Sequence, residues 1–486
     1  MPDALHAARD WLDALPHLGR WLVGAWLAYL AGLSIWIVLQ KREPAATLSW
    51  VLSLAALPYL GFLVYFLFGP QKIRRQRLRR GHARSGRETF GNVCAPDVEC
   101  TELARLGQAV TGLPATTASE VRWLVDGAAT YAALLGDIAR ARRQIHLEYY
   151  IFADDRTGRQ LRDALVERAR AGVMVKVLVD AVGSSTLRAA FFAPLVEAGG
   201  EVAWFHPTRL RLFPRPWLGL RCHRKIAVID GRVGYTGGIN IADAENDALR
   251  ADAYRDLHMR LEGDIVRSLQ LVFVEDWVYA TGQKPGTFHV MDTWPASVPR
   301  RRDGHIQAQA LVSGPDTSWE AIHRMQVAAI HEARQRVWLV SPYFVPGEAA
   351  RMALTSAALG GLDVRVVVPR MSDSRMVTLA ARSYYDELIA AGVRVFEYGP
   401  RMLHTKALLV DEDLCVVGSA NFDQRSFRLN FELSVMLRET RVVQALARHL
   451  LDEMAASVEV AAAGPGRPRL RQRLPEAFAR LLSPLL

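Results

Sequence analysis

Hydrophobic and polar positions follow two regimes along this chain. Near the N-terminus the apolar runs are long: residues 21–40 carry no charge, and after Lys41-Arg42-Glu43-Pro44 a second uncharged run covers about 45–69. A bilayer core of about 30 Å needs about twenty helical residues, so these runs predict two transmembrane helices, about 21–40 and 46–68. Pro58 is tolerated inside such a span as a kink. Trp21, Trp36, Trp50, Tyr65, Phe66 and Phe68 sit near the ends, where an interfacial belt belongs. A pair of buried soluble helices is the alternative. A cleaved signal peptide fits less well, because Asp10 and Asp13 precede the first run and a second run follows it.

Beyond residue 119 the period shortens. Residues 144–152 read as a strand, 158–171 as a helix, 173–179 as an apolar strand and 198–202 as a turn entering a strand. The same order returns at 336–344, about 348–359, 364–368 and 391–395. Strands alternating with helices of this length predict α/β units whose sheets are buried on both faces. The chain therefore divides into an N-terminal anchor (1–70), a connector (71–119), a first α/β half (120–285), a linker (286–305), a second half (306–462) and a tail (463–486). The linker region is rich in Pro, Arg and Gly. The tail opens on Gly464-Pro465-Gly466-Arg467-Pro468 and sets Leu470, Leu474, Phe478 and Leu481 among arginines. Such a segment can lie in a membrane interface or dock on the protein itself.

Charge adds a partner and an orientation. With 486 residues, a net charge of +10 and a pI near 9.6, the chain suits an anionic partner, nucleic acid or acidic lipid. Eight Lys/Arg and no acid fall between 72 and 87, immediately after the second apolar run. By the positive-inside rule this places the long C-terminal portion in the cytoplasm, although Lys41-Arg42 argues weakly the other way. The same run can hold anionic headgroups. The four cysteines have no metal-type spacing. Cys222 and Cys415 read as core residues, and Cys94 and Cys100 could pair only in an oxidising compartment.

Candidate chemistry lies in a motif present twice, 181 residues apart. The first copy is His223-Arg224-Lys225, Asp230, Gly237-Gly238 and Asn240; the second is His404-Thr405-Lys406, Asp411, Gly418-Ser419 and Asn421, in identical register. Residues two apart on a strand share a face, so each His lies beside its Lys. Asp230 and Asp411 stand at an odd offset and open hairpin turns, where they fix the turn more than they meet substrate. The glycine-rich pairs, including Gly238 and Ser419, let backbone approach a phosphate, and Asn240 and Asn421 can donate to its oxygens. Two histidines facing a phosphodiester divide the work between nucleophile and general acid/base, with two lysines balancing the phosphate's charge, so no metal or other cofactor is expected. Each imidazole needs an acid on its far nitrogen. Asp256 and Glu432, which follow their motifs by 33 and 28 residues, are the candidates for that supporting role.

These motifs resemble those of the phospholipase D superfamily. With the two N-terminal runs, the basic connector, Ser341-Pro342-Tyr343-Phe344-Val345-Pro346, Leu429-Asn430-Phe431-Glu432 and the terminal Ser483-Pro484-Leu485-Leu486, the whole chain is similar to the bacterial cardiolipin synthases of the A type. The resemblance implies two duplicated halves, mixed sheets flanked by helices, sharing one active site behind a multi-pass anchor in the cell inner membrane. It implies transfer of a phosphatidyl group between two phosphatidylglycerol molecules, giving cardiolipin and glycerol. It also carries His223, Lys225, Asp230, His404, Lys406 and Asp411 over as catalytic, with attack assigned to His223 and acid/base work to His404; the reverse stays open. Tyr254 departs from the Trp expected two before the acid, which leaves Asp256 less securely placed than Glu432. The alternatives are a phospholipase D-type hydrolase, another headgroup transferase, a superfamily nuclease and a membrane scaffold. No nucleic-acid partner is expected, since nothing beyond the catalytic core reads as a nucleic-acid module.

Overall fold

The computed structural model describes residues 18–39, 48, 51–52, 54, 101–206, 220–283, 306–317, 319–461, 470–481 and 483. The N-terminal described residues fall in a unit separate from the rest of the chain. Its described helix, Leu18–Val38, buries Ile37 together with Leu54, with Leu30 and Leu33 packed against them, while Leu27, Ile35 and Trp36 face outward. Among the described residues no helix is long and apolar enough to cross a membrane. Side chains of this helix are described only over 24–37, about 20 Å of rise against the roughly 30 Å required. The second expected span, the basic run at 72–87, Cys94, Cys100 and nearly all of the 282–304 stretch lie outside the described residues.

The larger unit is built from two sheets of matching topology. Ahead of the first half lies β1 (Thr116–Ala118); within it the strands are β2 (Glu120–Val125), β3 (Gln144–Tyr149), β4 (Met174–Asp180), β5 (Glu201–Phe205), β6 (Arg221–Cys222), β7 (Lys225–Ile229), β8 (Val233–Gly237) and β9 (Leu257–Glu262). In the second they are β10 (Ile306–Ser313), β11 (Arg336–Val340), β12 (Phe344–Val345), β13 (Asp363–Pro369), β14 (Arg394–Tyr398), β15 (Ala407–Val410), β16 (Leu414–Gly418), β17 (Phe422–Asp423), β18 (Asn430–Arg438) and β19 (Ser457–Glu459). The first sheet runs β2-β9-β8-β7-β3-β4-β5, and the second runs β1-β10-β18-β16-β15-β11-β13-β14-β19. In each, one helix-connected trio is parallel (β3-β4-β5 and β11-β13-β14) and the hairpin side is antiparallel, so both sheets are mixed. The Val- and Ile-rich central strands are buried on both faces, as strands under a helical cover must be.

The boundary between halves is less tidy than sequence order. The helix Glu102–Thr111 and β1, upstream of the first half, join the second half's sheet: β1 pairs with β10, and Gln309 Nε2 donates to the carbonyls of Ala104 and Leu113. One apolar cluster then draws on both sheets. At its centre is the helix Ile265–Thr281, buried along almost its whole length, with Phe273 and Trp277 meeting the faces that carry Val312, Leu433 and Val435. A helix buried all round belongs between layers, and this one, whose buried Asp276 is paired with Arg224, binds the halves into a single body. The C-terminal helix Leu470–Leu481 docks on the helix Arg375–Arg382. Ala479 is buried there, Arg480 stacks 4.5 Å over Tyr384, and the Tyr384 hydroxyl meets Ser483 at 2.9 Å. Leu474, Phe478 and Leu481 remain on its outer face.

Candidate active site

Each motif enters its sheet by the same route. Lys225 opens β7 and Lys406 precedes β15, and the strands then turn into β8 and β16 through hairpins at Asp230 and Asp411. Both aspartates hold φ at +52°, a left-handed conformation that short polar side chains tolerate. The Asp230 carboxylate accepts the backbone N–H groups of Arg142, Arg143 and Gln144 at 2.7–3.0 Å. Asp411 accepts those of Arg334, Gln335 and Arg336 at 2.7–3.2 Å. These aspartates therefore clamp the loop that starts the neighbouring strand. That is the hairpin role the odd offset predicts, and it places them apart from the histidines that the resemblance groups with them.

The histidines come together because each half lends an edge to the other. Arg221 and Cys222 pair in parallel with Asn430 and Phe431, and His223 N–H donates to Phe431 O at 2.9 Å. Symmetrically, Arg255 bridges to Leu403, and His404 N–H donates to Arg255 O at 2.7 Å. The supporting acids are consequently crossed. Glu432 of the second half lies 3.0 Å from Nδ1 of His223 in the first, and Asp256 of the first half lies 2.5 Å from Nδ1 of His404 in the second. Sequence order places each acid after the histidine of its own half; the short bridges between halves exchange them.

The small residues of the motif serve these acids. Ser419 Oγ donates to Glu432 Oε2 at 2.5 Å, and Asn430 Nδ2 donates to Oε1 at 3.1 Å. Gly238 abuts the other acid so closely that a Cβ would lie 2.1 Å from Asp256 Oδ1. Asn240 spends its amide inside the protein: Nδ2 donates to Glu245 at 2.5 Å and Oδ1 accepts from Ile151 N–H at 3.3 Å. Asn421 N–H donates to Ser426 Oγ at 3.3 Å. The lysines are fully enclosed. Lys225 Nζ donates to His223 O at 2.7 Å and lies 5.5 Å from the Tyr150 ring; Lys406 Nζ lies 2.8 Å from His404 Nδ1 and 3.4 Å from Asp256.

Electrostatics follow from burial and crowding. Burial, then the second lysine, pushes Lys225 down to about 8, and burial lowers Lys406 as well. Both imidazoles are held below their usual range, first by burial, His404 far below and His223 less so because Glu432 opposes the shift. The two acids differ. Burial raises Asp256 to about 6, whereas on Glu432 the same effect is outweighed by His223, Lys225 and Ser419, which keep it ionised. Among the described residues two buried groups have metal-ligand spacing: Glu148–Cys222–Asp276 and Glu245–Asp256–His404. Their donors already bond within the protein, Cys222 to Glu148 at 2.7 Å and Asp276 to Arg224, and the Lys406 ammonium beside Asp256 opposes a cation in the second.

Further side chains enclose the two histidines. Tyr150 packs edge-on to His223 at 4.9 Å, and Tyr254 and Tyr343 flank His404 at 5.4 and 6.5 Å. Arg224 ties the first motif to Asp276 on the central helix, and Thr405 ties the second to Glu453 at 3.1 Å. Glu245, five residues after Asn240, is the least expected. It lies in a short turn and only the fold brings it to His404.

Two α/β halves exchanging acids across paired histidines define a two-part site of the phospholipase D kind. A family model described as "Cardiolipin synthase, PLD-like domain" matches residues 134–255 and 327–454, and one described as "Phospholipase_D-nuclease N-terminal" matches 29–70. Cardiolipin synthase 2 of Bacillus anthracis is 38% identical over 473 residues, covering 94% of this chain and 90% of the relative. Cardiolipin synthase of Geobacillus sp. (strain WCH70) is 38% identical over 464 residues, covering 93% and 91%. The chain belongs to the cardiolipin synthase family of phospholipase D-like proteins. Among solved structures, phosphatidylserine synthase of Haemophilus influenzae Rd KW20 matches with a TM-score of 0.58 at 14% identity, covering 79% of this chain and all of that one, a likeness of fold.

Proposed function

We propose that this protein makes cardiolipin by moving a phosphatidyl group from one phosphatidylglycerol to a second, releasing glycerol. The observation that carries this is the pair of buried His–Lys units whose acids are exchanged between halves, in a chain 38% identical to cardiolipin synthases over 94% of its length. Neutral His223 Nε2 attacks phosphorus, the bond to the glycerol oxygen breaks, and His404 gives that oxygen a proton. His404 then takes the proton from a hydroxyl of the second phosphatidylglycerol, whose oxygen attacks phosphorus and breaks the P–N bond, restoring His223. Ionised Glu432 supports the positive charge that His223 gains on attack. The lysine ammonium groups, in a water-poor cage, balance the charge of the phosphate oxygens.

The anchor belongs to the same proposal. The uncharged runs at 21–40 and 46–68, the outward Leu27, Ile35 and Trp36, and the basic stretch after them support two inner-membrane spans with the catalytic portion on the cytoplasmic side. The lipid substrate is then met where it resides. Purified protein given phosphatidylglycerol in detergent is expected to yield cardiolipin and glycerol. Phosphatidic acid without cardiolipin would make it a hydrolase instead.

A further inference from the structure

The two halves repeat each other closely, yet chemistry of this type needs its two histidines to differ. Five residues after the motif asparagine, the repeat breaks. In the second half Ser426 Oγ accepts Asn421 N–H at 3.3 Å. In the first, the same turn carries Glu245, whose Oε2 accepts Asn240 N–H at 3.0 Å and whose Oε1 accepts Asn240 Nδ2 at 2.5 Å. Glu245 is 3% exposed, and its backbone is fixed: Tyr254 N–H donates to Ala244 O at 2.9 Å, and Gly127 leaves room for the Glu245 carbonyl only by lacking a Cβ. So held, its carboxylate lies with those of Asp256 and the His404 ring within a 4.8 Å cluster. The equivalent position of the second half carries only a hydroxyl, and the buried acid of that turn, Asp423, accepts Ser426 N–H at 2.6 Å as the cap of the helix Gln424–Arg428.

We propose, building on the phosphatidyl-transfer reading, that Glu245 is the positioning residue that makes the halves unequal, giving His404 a second buried carboxylate that supports its charged form when it works as acid/base, while His223 serves as nucleophile. The charged and titratable groups facing His404 are Asp256, Glu245, Lys406, Lys225 and His223, with the rings of Tyr254 and Tyr343 beside it. Burial and the two lysines drive its proton off; Glu245 opposes them from beside Asp256, the acid already 2.5 Å from Nδ1. Removing that charge lowers the proton affinity of His404 further. Each unit of loss leaves about tenfold less imidazolium to protonate departing glycerol at neutral pH.

The test compares two donors in the full-length protein, reading the first-turnover burst. With phosphatidylglycerol the leaving alkoxide needs a proton; with phosphatidyl-p-nitrophenol the phenolate leaves without one. Glu245→Gln is expected to slow the glycerol burst about 10- to 100-fold, shift the limb of the pH profile set by the acid to lower pH, and slow the nitrophenol burst by less than about threefold. Glu245→Ser, which installs the residue this turn carries in the other half, should do the same and guards against a Gln variant that fails to fold. Glu245→Asp should restore the pH limb in part. Equal losses with both donors, or no loss with either, would overturn the role. A wild-type protein that gave a burst with neither donor would instead remove the transfer reading itself.

Discussion

Glu432→Gln isolates the crossed wiring of the site, because it keeps the shape of a residue that serves a histidine in the other half. The carboxylate accepts from His223 Nδ1 at 3.0 Å and Ser419 Oγ at 2.5 Å on one oxygen, and from Asn430 Nδ2 at 3.1 Å on the other. A glutamine can keep its carbonyl toward His223 and Ser419 and turn its amide to Asn430, whose Oδ1 has no partner among the described residues and can rotate to accept it. The hydrogen bonds thus survive in number, and what is lost is the negative charge facing His223 as it turns cationic. A hydrogen bond to an ionised partner contributes about 1.5–3 kcal/mol, against about 1 for a neutral one. The difference, about 0.5–2 kcal/mol, slows formation of the covalent intermediate about 2- to 30-fold. Rapid quenching with headgroup-labelled phosphatidylglycerol reads that step as the burst of glycerol, and the apparent KM should change little. An unchanged burst rate in folded Glu432→Gln would refute the reasoning.

Further outcomes follow from the same geometry. Lys225, pushed down to about 8, should set an alkaline limb: activity falls as pH rises through about 8 because the ammonium loses its proton, and Lys225→Arg, if active, should move that limb upward in a kcat/KM profile. Gly238→Ala drives a methyl into Asp256 and should lower kcat by an order of magnitude or more, whereas Ser419→Gly, which copies the first half, should cost only the hydroxyl's two hydrogen bonds, to Glu432 and from Leu433 N–H. Asp230→Ala removes an acceptor shared by three backbone amides at a φ of +52° and should cost about 2–4 kcal/mol in chemical denaturation, with Asp230→Gly losing less; kcat of the folded fraction should stay within a few-fold.

How far the sequence reached depends on the range of the interaction involved. The helix expected near 348–359 is found as Glu348–Leu359, and the strand expected at 364–368 as Asp363–Pro369, because local periodicity and flanking turns specify both. The hairpins at Asp230 and Asp411 were legible for the same reason. What sequence could not supply were pairings between residues about 150 to 210 apart: Glu432 with His223, Asp256 with His404, and β1 with β10. Glu245 was hidden differently. A lone acid in a polar turn looks solvated, and only the tertiary fold buries it against His404. Asn240 illustrates the converse: its register marked it as a substrate donor, and its amide is instead occupied in holding Glu245.

The central claim is a covalent phosphatidyl–His223 intermediate discharged with help from the other half. In His404→Ala the intermediate, once formed, has no base to activate an acceptor, so phosphorus-labelled phosphatidylglycerol mixed with this variant and digested should leave an acid-labile, alkali-stable label on the peptide bearing His223. Label on any other residue would contradict the account, as would cardiolipin formed at the wild-type rate with no labelled protein.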